Sequence, residues 1–213
     1  MGRSALLFTF LVLTSAVRLF GQVSGISIDN RGISEIQTDS GAGINIALVI
    51  RNTSDKALEI ASELGMPEGW RVLLTSQMKS IGPTSEDLVL ISLYAPVATK
   101  SGRYAIRYTA WPEGRPRQSE TALVNVVIRE SIDIDISLRN ASAYVIAGQD
   151  IHASFIVANL SNTDIRLDLA AESATGYSTE LVEYGEEGML LASGEAREVN
   201  VLVRTAPLLG KLV

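Results

Sequence analysis

Apolar side chains recur at every second residue along most of the chain, and this period of two constrains what it can fold into. Residues 43–50 set Ile44, Ile46, Leu48 and Ile50 on one face. Residues 103–111 set Tyr104, Ile106 and Tyr108 against Arg103 and Arg107 on the other side. Residues 132–138 alternate strictly, so Ile132, Ile134, Ile136 and Leu138 are expected inward and Asp133 and Asp135 outward. A helix would need apolar residues three and four apart, whereas a half-buried strand needs this alternation. Strands with one apolar face must be covered by a second sheet, so the expected class is all-β, built as sandwiches.

Turn formers separate the strands: Asn52-Thr53-Ser54-Asp55, Met66-Pro67-Glu68-Gly69, Lys100-Ser101-Gly102 and the Pro112–Pro116 loop. Pro96 closes the strand over residues 87–94, because proline lacks the donor a ladder needs. About seven strands are expected between residues 22 and 130, at the spacing of a sandwich. A second unit begins near Ser131, with strands over residues 132–138, 151–159, 164–169 and 197–204. Asn52 and Asn159, 107 residues apart, both stand in a turn between apolar strands. Ala95-Pro96 is matched by Ala206-Pro207, 111 residues on. These offsets predict a duplicated domain of about 110 residues. Unit one runs 34 residues past Pro96 to Glu130, but unit two runs 6 past Pro207. The second unit is therefore expected to lack its final hairpin. Truncation of a longer gene product is the first explanation, with strands supplied by a partner or a smaller variant of the domain as the others.

The chain opens with Arg3 and then an apolar run over residues 5–17. That run is short of the roughly 20 residues of a membrane span. It fits the apolar region of a secretory signal, cut after Ala16 or, preferably, after Gly21. The expected division is thus a signal peptide over residues 1–21, one sandwich over 22–130 and a second over 131–213, with no membrane span in the mature chain. Export places the protein in the periplasm, at the outer membrane or outside the cell. Loss of Arg3 and Arg18 takes the net charge from -6 to -8. An acidic surface excludes nucleic acid as a partner, since the phosphate backbone attracts cationic surfaces. Cysteine is absent, which excludes disulfides, thiolate nucleophiles and cysteine metal sites. His152 is the single histidine, so neither a multi-histidine metal site nor a histidine relay can form.

The remaining candidates are few. His152 is expected as an exposed strand residue near a sheet edge. Asp133 and Asp135 share a face about 7 Å apart, the spacing of a carboxylate pair and equally of a polar strand face. Glu183, Glu186 and Glu187 form an acidic cluster that suits a solvated loop better than calcium. Gly41-Ala42-Gly43 lacks the Lys-Ser/Thr pair of a phosphate cradle. Trp111, at the end of a strand, is a candidate surface for stacking sugar rings. Arg103, Arg107, Arg115 and Arg117 form the basic patch, a solvated face or a surface for an acidic partner. No catalytic residue, metal ligand or cofactor is expected.

Pro67-Glu68-Gly69-Trp70, then Ala95-Pro96, then Gly102-Arg103-Tyr104 resemble the α-galactosidase-associated immunoglobulin-like domain family of bacteria. Its members carry a Pro-x-Gly-Trp turn and a later Pro…Gly-x-Tyr segment. The likeness covers residues 43–128, and 149–207 more weakly; the second unit has Ala174-Thr175-Gly176-Tyr177 in place of the tryptophan turn. It implies immunoglobulin-like sandwiches in tandem, with Pro67, Gly69, Trp70, Pro96, Gly102 and Tyr104 in structural roles. It implies no chemistry, because the fold hosts many functions. The expected function is a non-enzymatic, exported structural or binding protein of the bacterial cell envelope. Its partners would be other envelope protein domains, downstream domains of the same gene product, or glycans. The alternatives are an accessory region of a secreted carbohydrate-active enzyme and a periplasmic pilus-assembly chaperone.

Overall fold

The computed structural model describes residues 25–76, 80–142, 149–173, 177–182 and 188–204. The leader, Glu183, Glu186, Glu187, the 174–176 segment and Pro207 lie outside them. Nine strands make the first unit: β1 (Ile26–Asp29), β2 (Glu35–Thr38), β3 (Gly43–Asn52), β4 (Leu58–Gly65), β5 (Arg71–Thr75), β6 (Ser80–Ile81), β7 (Glu86–Tyr94), β8 (Gly102–Pro112) and β9 (Glu120–Ile128). Two of these, β2 and β6, exceed the seven expected from alternation, because strands of two to four residues carry too few positions to show a period.

They form two sheets, in the orders β1-β3-β7-β5 and β2-β9-β8-β4-β6. The alternation in β3 is read out directly: Ile44, Ile46 and Leu48 lie inward opposite Leu93, Ile91 and Val89 of β7. The facing sheet offers Ile106, Tyr108 and Ala110 from β8 and Ala122, Val124, Val126 and Ile128 from β9. Nineteen buried side chains make one continuous core. The N-terminal segment joins both sheets, since β1 pairs antiparallel with β3 and β2 pairs parallel with β9. Between them Arg31 and Gly32 take positive φ, and their amides bond the side chains of Asp29 and Asn30. The φ of +79° at Gly69 lets the Pro67 turn drop Trp70 into the core. There Trp70 meets Tyr104 with ring centroids 5.5 Å apart, and the Tyr104 hydroxyl donates to the Lys100 carbonyl.

The second unit holds β10 (Ile134–Ala141), β11 (Ile151–Asn159), β12 (Ile165–Leu167), β13 (Ser178–Val182), β14 (Met189–Leu191) and β15 (Ala196–Arg204). Its sheets are ordered β10-β11-β15-β13 and β12-β14. Strand for strand this repeats β1-β3-β7-β5 and β4-β6. An offset of 107 carries Asn52 onto Asn159, and 110 carries β7 onto β15 end to end.

Asn52 and Asn159 are not exposed turn residues. Each is 0% exposed and closes its strand from inside. The Asn52 Nδ2 donates to the carbonyls of Lys56, Ile81 and Gly82. The Asn159 Nδ2 donates to those of Thr163, Leu191 and Ala192.

What does not repeat is the cover. Among the described residues, no strand of the second unit corresponds to β8 or β9. Its core is correspondingly small: Val157, Ile165, Met189, Leu191 and Val199. The expectation that Ile132, Ile134, Ile136 and Leu138 would be buried is corrected here. Ile136 is 61% and Leu138 60% exposed, because the sheet that would bury them is missing from the fold as described. His152 is exposed but sits on β11, an interior strand between β10 and β15, and not near an edge.

Candidate functional site

The inner face of the second unit's larger sheet is an open apolar groove of about 350 Å³. Alternation puts Ala153, Phe155 and Val157 of β11 beside Val199, Val201 and Val203 of β15, with Leu181 of β13 next to them. Residues 169–172 form one wall. Phe155 stands opposite Val199, and Ala153 opposite Val201. In the first unit the equivalent face, on β3 and β7, is closed over. Apart from Glu172 and Thr179 the lining is apolar, and what the groove can do is bury apolar side chains. Neither the groove nor its wall is visible as a motif, since it arises from register between distant strands.

A second constellation joins the units. The Asn162 side chain, buried, donates from Nδ2 to the Arg129 carbonyl at 2.8 Å and accepts at Oδ1 from the Ser131 amide at 2.9 Å. Its carbonyl accepts from the Ser101 amide of the first unit at 2.8 Å. Ser161 Oγ exchanges hydrogen bonds with the backbone of Asp133. Lys100 pairs with Asp164 across the joint at 3.3 Å. Asn162 was not singled out from sequence. Its counterpart 107 residues earlier is Asp55, an exposed turn residue, and that change from Asp to Asn between repeats was the available signal.

The Asp164 carboxyl is held below its ordinary range, first by the Ser193 amide and then by Lys100. A depressed carboxylate stabilises the fold above its unfolded pKa of about 3.9, and this contribution is lost as pH falls through the lower folded value. We expect carbon-detected NMR to show Asp164 titrating below the ordinary aspartate value. In Lys100→Met its midpoint should rise only part of the way, since the Ser193 amide stays. No rise in that variant, or a rise to the ordinary value, would contradict this geometry.

The structure separates the expected binding residues. Arg103 pairs with Glu35 at 2.7 Å near the start of β8. Arg107 lies mid-strand and exposed, and Arg115 and Arg117 sit in the loop beyond β8. At about 3.3 Å per residue, Arg103 lies roughly 30 Å from that loop, so the four are not one patch. Trp111 is half-buried on the outer face, opposite Ala61. Asp133 precedes β10 and Asp135 lies on it, both exposed. Among the described residues no three acidic or histidine side chains stand close enough to hold a metal ion. None of the described helices is long and apolar enough to cross a membrane.

The chain is two immunoglobulin-like sandwiches in tandem, the second less complete. No protein-family model matches the sequence, and no curated protein matches it. Among solved structures, it is similar to a Porphyromonas gingivalis W83 protein of unknown function at 11% identity. That match covers 84% of this chain and 83% of the other, with a TM-score of 0.38. It is similar to the E. coli chaperone DraB at 12% identity, covering 82% and 83%, with a TM-score of 0.33. It is similar to the YadV chaperone at 10% identity, covering 83% and 85%, with a TM-score of 0.32.

Proposed function

We propose that the chain is an exported, non-enzymatic protein that binds other polypeptides of a bacterial envelope, as an assembly chaperone does. The observation that carries this reading is the apolar groove of the second sandwich, lying beside a strand edge that has no partner among the described residues. An apolar face beside a free strand edge is a surface on which a polypeptide segment can pack and pair. A polypeptide-binding protein needs both. The joint at Asn162 supports the same reading, because it ties the two sandwiches through the linker. The leader supports export. An accessory role beside a carbohydrate-active enzyme finds less support: Trp70 is buried and Trp111 half-buried, so neither offers a flat exposed ring. The expected likeness to α-galactosidase-associated domains finds no support in a family match, and the Trp70 turn follows from the positive φ of Gly69.

The test is photo-crosslinking in exporting cells, with a photoreactive phenylalanine at Val201. The processed chain, beginning at Gln22, should give discrete heavier species that contain a second, different polypeptide. A photoreactive residue at Arg107 should give none of them. Retention of Met1 on the exported chain, or crosslinks at Val201 that stay within the chain, would overturn the reading.

A further inference from the structure

The outer face of β3, β7 and β5 in the first sandwich is apolar where the fold does not require it. Leu74, Leu88 and Leu90 are 58%, 40% and 44% exposed. On β3, Val49 stands opposite Leu88 and Ala47 opposite Leu90. The inner face of these strands already packs on β8 and β9, so this sandwich is closed and the apolar face is its outside. The second unit shows what the same face needs for folding alone. An offset of 110 carries Leu88 and Leu90 onto Glu198 and Asn200. Leu74 pairs with Ser92, and Glu180 with Leu202, so Leu74 falls on Glu180. Three exposed leucines in one unit are thus two glutamates and an asparagine in the other. Ile156 and Leu202 keep the second face partly apolar, but both are half-buried. The leucines of the first unit serve something other than the sheet they stand on.

The ends of the apolar strip differ in charge. Along β7 the outward residues are Glu86, Leu88, Leu90, Ser92 and Tyr94. At one end Glu86 accepts from Arg51 at 2.9 Å, with both side chains largely exposed. At the other the Arg71 guanidinium lies over the Tyr94 ring, 5.5 Å from its centroid, and meets no carboxylate among the described residues. Glu86 and Tyr94 each stand four residues from Leu90, about 13 Å along the strand. The strip is therefore even in length about Leu90 and opposite in charge at its two ends. An isologous contact asks for such a surface, one that fits itself when turned end for end.

We infer that this face is a dimer interface, and that its partner is a second copy of the chain. The two-fold axis lies between the facing sheets and crosses the strands at Leu90. Leu90 then meets Leu90 of the second copy, Leu88 meets Ser92 and the adjoining Leu74, and Glu86 reaches the guanidinium held over Tyr94. Four strands about 4.8 Å apart make a face of roughly 20 by 30 Å, on the order of the 800 Å² per partner of an ordinary specific contact. A different protein would have no need of opposite charges set at equal distances from one leucine.

Sedimentation of the full chain across a concentration series is the test. We expect a monomer–dimer equilibrium with a midpoint on the order of 10 µM, as suits a flat face with few anchors. Leu88→Glu with Leu90→Asn gives the first unit the residues its repeat already carries. That variant should stay monomeric at every concentration with its urea transition unchanged. Arg71→Glu and Glu86→Arg, each alone, should weaken dimerisation at least tenfold. Mixed one to one, these two variants should dimerise with each other at close to the original midpoint, because both charge contacts are restored in the mixed pair. A mixture of labelled and unlabelled chains should show intermolecular NOEs between the methyls of Leu88 and Leu74.

A chain that remains monomeric to about ten times that concentration would overturn the inference. So would a dimer that survives Leu88→Glu with Leu90→Asn, since another face would then hold it. Charge variants that fail to rescue each other would overturn the two-fold arrangement. A photoreactive residue at Leu90 that captures a different polypeptide in exporting cells, and never a second copy, would overturn self-association. None of these results bears on crosslinks at Val201, so the two readings stand or fall separately.

Discussion

In native-state hydrogen exchange, the amides of β3, β7, β8 and β9 will exchange at least about 100-fold more slowly than those of β10, β11, β13 and β15. Exchange from a core strand is limited by the free energy of opening its cooperative unit. That energy follows the apolar area each sandwich withdraws from water. Among the described residues, the first sandwich buries nineteen side chains in one cluster and the second five. A fully buried aliphatic or aromatic side chain contributes roughly 1.5–3 kcal/mol. The larger core also orders more chain, so the totals do not subtract simply. A margin of about 3 kcal/mol, which is two such side chains, already gives the 100-fold ratio. Equal protection of the two units in a monomeric sample would show that the second closes its core by other means. The open face would then have no functional meaning.

Long strands were legible because their alternation extends over many residues. Residues 43–50, 87–94, 103–111, 121–128 and 151–159 all fall on observed strands. β6 and β14, at two and three residues, were not legible, and β13 lies in a mixed stretch where Leu181 and Val182 adjoin. The exposure of Ile136 and Leu138 shows a different limit. Period two reports which side of a strand is apolar, and it is silent on whether anything covers that side. The repeat told more than the period did, because it placed β11 and β15 on β3 and β7. The candidate site was not legible. Its lining residues come from three strands whose register no local pattern specifies, and the arginines, grouped by composition, turned out to be spread along β8 and its loop.

The two buried asparagines are the other feature that sequence presented as something milder, and their removal should have the largest single-residue effect. Asn52 donates to three carbonyls at 2.7, 3.1 and 2.9 Å, while its Oδ1 accepts from the Ser54 amide at 2.9 Å and the Ser54 hydroxyl at 2.7 Å. Its side chain thereby ties the end of β3 to the β3–β4 turn and to the end of β6. In Asn52→Ala the carbonyls of Ile81 and Gly82 lose a donor where water cannot readily replace it. At about 1–3 kcal/mol for each buried group left unpaired, the loss should be about 3 kcal/mol. Asn52→Asp keeps the shape but turns a donor into a carboxylate facing carbonyl oxygens, so it should cost more than alanine despite the closer match in volume. Ser54→Ala, which leaves the donated bonds intact, should cost about 1 kcal/mol. Urea unfolding of the full chain reads these values as shifts of the more stable transition. Asn159 makes the same three donated bonds in the smaller sandwich. There the same loss is taken from a domain with far less core, so Asn159→Ala should abolish the second unit's protected amides at neutral pH while leaving the first unit's transition in place. An Asn52→Asp variant as stable as Asn52→Ala would mean that the amide is not the donor at this position, and the device shared by the two repeats would fail in both.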